Sequence, residues 1–370
     1  MSKRIVLGVI FGGRSGEHEV SLMSAESVLS VLDTEKYEVV EIGIDHNGKW
    51  WSGKNVVNAF RDNNFDQLVP VFLLPEPGKS FLYQRSRSGT AETIRVMATL
   101  DVVFPVLHGT FGEDGTLQGF FEMADIAYVG AGVLGSSVGM DKGVFKDVMR
   151  ANNIPVVDWI MSTRKQIEEN VEEVARQAEN KLSYPFFIKP ANLGSSVGIT
   201  KSKTHSDLIE GLYCAAQYDR RILIENGVNA REIEVSVLGN DICRTSIPGE
   251  VVPSDEFYSY DAKYINGDSD LIIPAKIPAG LSKKIQEMAV RTYQAIDCAG
   301  MTRVDFLMDK TTNEIFLNEV NTIPGFTSIS MYPKLWEASG LSYPDLIDEL
   351  ISLAFDRKNE RNKSKRKFGE

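Results

Sequence analysis

The chain opens on a nearly continuous apolar run, Ile5-Val6-Leu7-Gly8-Val9-Ile10-Phe11, the pattern of a strand buried on both faces. Gly12-Gly13 follows, and then apolar positions at Val20, Ala25, Val28, Leu29 and Leu32 recur at helical spacing, so the pattern predicts a strand, a glycine turn and a helix. Further strands are predicted over residues 37–44 and 101–107. The second of these ends in a polar, glycine-rich turn, His108-Gly109-Thr110-Phe111-Gly112-Glu113-Asp114-Gly115. Open α/β sheets bind ligands at such turns, beyond the carboxyl ends of their strands. Residues 45–100 read as loops and short strands added to a doubly wound domain.

A short helix is predicted after Met140-Asp141-Lys142, and Ile154-Pro155-Val156 leads into a new unit. That unit contains a helix over 166–180, a strand over 184–189, the turn Gly194-Ser195-Ser196-Val197-Gly198 and a strand over 221–225. From Arg231 onward, residues 232–238 alternate as a half-buried strand and 281–298 has helical spacing. Strands over 302–308 and 314–320 flank the hairpin signal Asp309-Lys310-Thr311-Thr312-Asn313. The expected organisation is three α/β domains, 1–140, 141–230 and 231–360, with a basic tail over 361–370. Two long loops, 254–270 and 321–333, are of a length that in compact domains usually serves function.

Composition narrows the class of protein. A chain of 370 residues, 43% hydrophobic and 25% charged, is globular and long enough for several cores. No uninterrupted apolar run approaches the roughly 20 residues of a membrane span, and no targeting segment stands at the start, so a cytoplasmic protein is expected. Cys214, Cys243 and Cys298 are widely separated and lack metal-ligand spacing, which fits a reducing compartment. The net charge of -11 repels nucleic acid and anionic membrane over long range. Anionic small molecules would therefore have to be captured by local clusters.

The hairpin is the strongest local candidate for chemistry. A turn centred on Thr312 places Asp305 opposite Glu319 and Leu307 opposite Leu317, with Asn321 on the same face as the acids. Opposed carboxylates repel unless a cation lies between them, and oxygen ligands of this kind suit Mg²⁺ or Mn²⁺ shared with phosphates. The alternative is an exposed hairpin with solvated acids. Arg303, two residues before Asp305, shares its face and is placed either to stabilise an oxyanion or to pair with the acids. Lys142 follows a serine- and glycine-rich stretch, and Lys189 precedes the Gly194-Ser195-Ser196 turn. Both fit a phosphate clamp or a solvated surface. Glu19 and His108 stand on turns at the expected mouth of the first domain. Gly12-Gly13-Arg14-Ser15-Gly16 does not match GxGxxG and gives no evidence for a nicotinamide cofactor.

These segments, in this order, resemble the D-alanine:D-alanine ligases of the ATP-grasp superfamily. The likeness spans essentially the whole chain, from Phe11-Gly12-Gly13-Arg14-Ser15-Gly16-Glu17-His18-Glu19-Val20-Ser21 through His108-Gly109, Met140-Asp141-Lys142, Lys189-Pro190-Ala191-Asn192-Leu193-Gly194-Ser195-Ser196-Val197-Gly198 and Asp261-Ala262-Lys263-Tyr264 to Arg303-Val304-Asp305 and Asn318-Glu319-Val320-Asn321-Thr322-Ile323-Pro324-Gly325. The resemblance implies an ATP-grasp fold with ATP held between the central and C-terminal domains. It implies Lys142 and Lys189 on the phosphates, Glu225 and Val228 near adenine, and Glu232 at the ribose. The Ser195-Ser196 loop would close over the phosphates, and Asp305, Glu319 and Asn321 would hold two Mg²⁺ (or Mn²⁺) ions. It further implies that Glu19 takes the first ammonium group, with His108 in the substrate site. Arg303 and the Gly325 amide would form an oxyanion site, while Lys263, Ser330 and Met331 serve phosphate and the second substrate. Ser195, Tyr264 and Glu19 would form a hydrogen-bonded group. Tyr264, where depsipeptide-making relatives carry phenylalanine, favours a peptide product over D-alanyl-D-lactate. Partners are expected to be D-alanine and ATP, with neither nucleic acid nor membrane, and a homodimer is left open. The rival from another class is a nucleotide-binding regulatory module without catalysis.

Overall fold

The computed structural model describes residues 3–194, 197–252 and 270–365. Its strands fall into three sheets. The first has eight strands, in the order Ala91–Thr99, Phe81–Ser88, Val69–Phe72, Trp50–Ser52, Tyr37–Ile44, Ile5–Gly12, Val102–Val106 and Ala127–Tyr128. Ile5–Gly12 is central, with Leu7 level with Val39 on one side and Val102 on the other, both pairings parallel. Leu7, Val9, Ile10 and Phe11 are fully buried, as a strand covered on both faces requires. Because Ile5–Gly12 and Val102–Val106 are parallel neighbours, their carboxyl-end turns, at Gly12-Gly13 and His108-Gly109, lie side by side. Gly12 adopts φ 86° and a Cβ there would strike the Ile44 carbonyl, so this turn depends on glycine. Residues 69–99 are more regular than expected. Phe81–Ser88 and Ala91–Thr99 form a long antiparallel hairpin at the sheet edge whose outer strand is almost entirely exposed, which removes the apolar alternation that would have announced it.

The second sheet has four antiparallel strands, in the order Thr200–Ser202, Phe186–Pro190, Arg221–Asn226 and Trp159–Thr163. Helices Arg164–Lys181 and His205–Tyr218 cover one face. Both begin with capping boxes, Thr163 with Gln166 and Thr204 with Asp207, which satisfy the first free amides of each helix. Phe187 lies opposite Glu225 and Lys189 opposite Leu223, so Lys189 and Glu225 are diagonal neighbours on one face.

The third sheet runs Asp270–Ile272, Gly249–Val252, Ala230–Gly239, Gly300–Asp309 and Ile315–Asn321, with Cys243–Thr245 also paired to Ala230–Gly239. The alternation over 232–238 predicted a half-buried strand, but every residue from 233 to 239 is buried. The strand is central, and its polar face, with Glu234 and Ser236, is covered by other parts of the chain rather than by water. The hairpin register also differs from expectation. Asp305 does face Glu319 and Arg303 faces Asn321, but Phe306, not Leu307, faces Leu317, because a β-bulge intervenes between Asp305 and Phe306. A bulge adds a residue on one strand and re-aims the side chains beside it.

The last helix, Tyr343–Asn362, leaves the third sheet and packs on the first. Leu346, Ile347, Leu350, Ile351 and Ala354 share one core with Leu7, Val9 and Phe104. The helix extends past residue 360, and Arg361, expected in a tail, instead bonds Glu122 and Asp125. Replacing Leu350 by Ala should therefore cost about 2 to 5 kcal/mol of stability, the usual range for a buried leucine. Guanidinium chloride unfolding would measure it. A loss below about 1 kcal/mol would mean that this helix does not close the shared core.

Candidate functional site

One cavity lies where the three sheets meet. Its walls include Glu17, His108, Glu113, Lys142, Glu234, Arg303, Glu319, Asn321, Gly325, Ser330 and Met331. At one end is the hairpin. Across three neighbouring strands, Glu234, Asp305 and Glu319 stand in one row, and Ser236, Arg303 and Asn321 in the next. The Arg303 guanidinium forks onto Asp305, with Nε to Oδ1 at 2.8 Å and Nη2 to Oδ2 at 2.6 Å. Its Nε also lies 3.0 Å from Glu234 Oε2. Lys142 Nζ is 3.6 Å from Glu319, and Asn321 Nδ2 donates to Asp305 at 2.9 Å. Among the described residues, Arg303 and Lys142 thus both stand beside these acids. Glu234, only 5% exposed, is absent from the sequence-based expectations. Its parity with Glu232 was visible in the sequence, but its place beside Asp305 depends on pairing with a strand some seventy residues later. Two carboxylates and an amide oxygen form a hard-oxygen set that suits Mg²⁺ or Mn²⁺, provided the Asn321 amide turns its oxygen inward, an orientation that is assigned from hydrogen bonding.

The other end lies at the turns of the first sheet. Glu17 is buried and lines the cavity, whereas Glu19 is 68% exposed at its side chain and points toward His46, 3.6 Å away. Of these two acids, the structure places Glu17 rather than the expected Glu19 in the cavity wall. Residues two apart at the start of a helix project about 200° from each other, so only one of them can face inward. The His18 and His46 rings beside Glu19 stack at 3.8 Å between centroids.

His108 lines the cavity and is held there at both ring nitrogens. Its Nδ1 contacts the Ile323 carbonyl at 3.0 Å and its Nε2 the Ser24 hydroxyl at 3.0 Å. A carbonyl can only accept, so Nδ1 carries the proton and Nε2 accepts from Ser24. With both ring nitrogens used, His108 is a strut between the first sheet and the 323–326 loop. Burial lowers its pKa to about 4. Glu113, unremarked in the sequence, accepts the Gly109 N–H at 2.8 Å and the Ile323 N–H at 2.9 Å. Burial and then the neighbouring Glu17 push its carboxyl up to about 8. Ser330 accepts the Thr327 N–H at 3.0 Å beside Gly325, and Met331 is buried against Val251 and Leu335.

The expected nucleotide residues form a second group. Glu225, 2% exposed, sits between Lys189 and Lys146, with Lys146 Nζ at 3.0 Å. Burial alone would raise the Glu225 carboxyl, but the two ammonium groups outweigh it and hold it at about 2. Lys146 was not foreseen, although it stands four residues after Lys142 on one helix, Lys142–Ala151, a spacing that places side chains on one face. Lys142 donates to the Leu193 carbonyl at 2.8 Å, reaching the turn that leads to residue 195. Val228 lies in the crossing from the second sheet to the third, and Glu232 follows on the strand Ala230–Gly239, level with Leu307. Glu225, Val228 and Glu232 therefore line one chain segment between two sheets. Ser195, Ser196, Lys263 and Tyr264, and the 254–270 loop except Asp270, lie outside the described residues.

The His108 strut sets a pH dependence. The folded protein keeps the ring neutral down to about pH 4, whereas the unfolded chain protonates it near 6.5. Stability is therefore lost as pH falls through that window, by on the order of 3 kcal/mol. Urea unfolding of the wild type and His108→Gln at pH 7 and pH 4.5 should show a steeper loss in the wild type. Equal slopes would contradict the neutral strut.

Comparison with known proteins agrees with this geometry. The family profile described as "D-ala D-ala ligase N-terminus" matches residues 6–131, and "D-ala D-ala ligase C-terminus" matches 148–352. A D-alanine--D-alanine ligase of Natranaerobius thermophilus is 47% identical over 369 residues, covering 100% of each chain. One from Heliobacterium modesticaldum is 48% identical over 358 residues, covering 97% of this chain and 96% of that one. Among solved structures, the D-alanine-D-alanine ligase from Coxiella burnetii matches with a TM-score of 0.82 at 35% identity, covering 98% and 97% of the two chains. The VanG D-Ala:D-Ser ligase from Enterococcus faecalis matches with a TM-score of 0.84 at 36% identity, covering 95% of this chain and 100% of that one. With both halves of the family profile in order and relatives matched end to end, the chain belongs to the D-alanine:D-alanine ligase family and has its ATP-grasp fold.

Proposed function

We propose that this protein joins two D-alanine molecules at the expense of ATP, with a divalent metal at the hairpin. The observation that carries the reading is the order of groups along one cavity. A buried acid, Glu17, suits an ammonium group at one end, a guanidinium follows, and a hard-oxygen set beside Lys142 stands at the other. An amino acid with its ammonium at Glu17 would direct its carboxylate toward Arg303 and the phosphate end.

In this reading the carboxylate of the first D-alanine takes the γ-phosphoryl group of ATP, forming an acyl phosphate and ADP. The amine of the second then attacks the acyl carbon and expels phosphate. Glu17 orients the first substrate, in place of the Glu19 expected from the sequence. Arg303, with the Gly325 amide, stabilises the oxyanion at the acyl carbon. Lys142 and Lys189 hold phosphate charge, and Glu225, Val228 and Glu232 border the nucleotide. Asp305, Glu319 and Asn321 would hold two Mg²⁺ or Mn²⁺ ions, which would offset phosphate charge during transfer. Free D-alanine and ATP as substrates fit a cytoplasmic enzyme, and no helix among the described residues is long and apolar enough to cross a membrane.

Asp305→Asn and Glu319→Gln should keep the fold and lower D-alanine-dependent phosphate release at least 100-fold, measured at saturating Mg²⁺. Full activity in either would remove the hairpin from the metal site. The likeness to a D-Ala:D-Ser ligase motivates a second test. With ATP, Mg²⁺, D-alanine, D-serine and D-lactate together at neutral pH, mass analysis should find D-alanyl-D-alanine as the main product. A predominance of D-alanyl-D-serine or D-alanyl-D-lactate would overturn the choice of second substrate.

A further inference from the structure

Glu225 is held by lysines that are not equivalent. Lys146 Nζ lies 3.0 Å from its Oε2, and Lys189 contacts its Oε1. The Lys146 side chain is 2% exposed and that of Lys189 12%. Lys189 is also drawn toward Glu319 and Glu232, so its ammonium is shared between the second and third sheets. Lys146 sits deeper, with Nζ 5.7 Å from the centre of the Trp159 ring. Trp159 and Phe187 flank Glu225 on the strands at either side. The helix that carries Lys146 is tied to the strand of Glu225 at a second point. Asp141 caps that helix by accepting the Gly143 and Val144 amides at 3.1 and 2.9 Å. The same carboxylate pairs with Arg221, four residues before Glu225 on one strand. The fold itself thus sets Lys146 on Glu225.

We propose that Lys146 is a positioning residue that keeps Glu225 an ionised hydrogen-bond acceptor for the exocyclic amino group of adenine, so that ATP is selected over nucleotides with a carbonyl at that place. This rests on the ligase reading above, in which Glu225 borders the nucleotide and Lys189 holds phosphate charge. Phosphate draws Lys189 away from Glu225, because one ammonium group cannot serve both anions equally. A carboxylate as buried as Glu225, 2% exposed, is costly without a cation beside it. Lys146 supplies that cation at Oε2 and leaves Oε1 to the base when Lys189 turns to phosphate. An ionised carboxylate accepts hydrogen bonds and donates none. It therefore matches the N–H of an amino group and repels a carbonyl oxygen. Without the Lys146 charge, Glu225 would take up a proton once Lys189 leaves, and its O–H could donate to a carbonyl. The preference for adenine would then weaken. With both lysines in place the Glu225 carboxyl is held at about 2, in keeping with an acceptor that stays ionised.

The test compares ATP with ITP, which carries a carbonyl in place of the amino group and a proton on the adjacent ring nitrogen. D-alanine-dependent phosphate release by the full chain is measured at saturating D-alanine and Mg²⁺, with kcat and KM taken separately. The wild type should prefer ATP by at least about 100-fold in kcat/KM. Lys146→Gln keeps a donor toward Oε2 but removes the charge. It should lower kcat/KM for ATP about 10-fold, mostly through KM, and leave that for ITP within about 3-fold, so the preference falls about 10-fold. Lys146→Arg keeps the charge and should hold the preference within about 3-fold of the wild type, whatever its rate. Thermal melting reports the folding of each variant. If Lys146→Gln does not fold, Lys146→Met, which leaves no buried donor to satisfy, carries the same comparison. Equal losses with ATP and ITP in the uncharged variant would make Lys146 a packing residue and overturn the proposal, while the ligase reading stands. A wild type that uses both nucleotides equally would overturn it too. No D-alanine-dependent phosphate release from ATP by the wild type would overturn the ligase reading and the inference with it.

Discussion

The arrangement of Arg303 between Glu234 and Asp305 is the constraint on which the site depends. A buried carboxylate is costly unless a cation or hydrogen bonds offset it, and this cavity gathers Glu17, Glu113, Glu234, Asp305 and Glu319 around Arg303 and Lys142. The guanidinium is planar and always charged, and its fork matches a carboxylate. It reaches both Asp305 and Glu234. A metal at Asp305 and Glu319 would take over part of that duty and free Arg303's outer nitrogens for an oxyanion. Glu234, held at 3.0 Å, would keep the guanidinium from following the substrate. In the proposed reading, the excess of acid would favour cations, a metal at one end and an ammonium at the other.

The scaffold brings these ends together by simple means. Parallel strands of the first sheet deliver the Gly12-Gly13 and His108-Gly109 turns to one edge. The third sheet presents its acid rows from a central strand and a bulged hairpin. His108 and Glu113 then join the two, each binding the backbone of Ile323, one at its carbonyl and one at its amide. The final helix ties the same two units from behind by covering the first sheet. The substrate end is therefore formed by contacts between units, and domain motion would act directly on it.

Much of this was legible in the sequence, and the rest was not for identifiable reasons. Ile5–Gly12 announced itself because a strand buried on both faces must be apolar throughout. The facing pair Asp305 and Glu319 followed from hairpin arithmetic, while the bulge after Asp305 did not, since nothing local marks Asn318 as the extra residue. The hairpin over 81–99 was hidden by the exposure of its outer strand. Choosing Glu19 over Glu17 required knowing where the helix His18–Val31 begins, and a shift of two residues reverses which acid faces inward. Glu234 and Glu113 owe their places to partners far along the chain, Asp305 and Ile323, so local pattern could not single them out. Lys146 was within reach, one helical turn after Lys142.

The most direct measurement is the number of Mn²⁺ ions bound at saturation with a non-hydrolysable ATP analogue, counted by electron paramagnetic resonance on the full-length protein. The account predicts two bound ions per chain, because the acid rows and the nucleotide phosphates complete one another's charge. A count no higher than that of the analogue alone would contradict it.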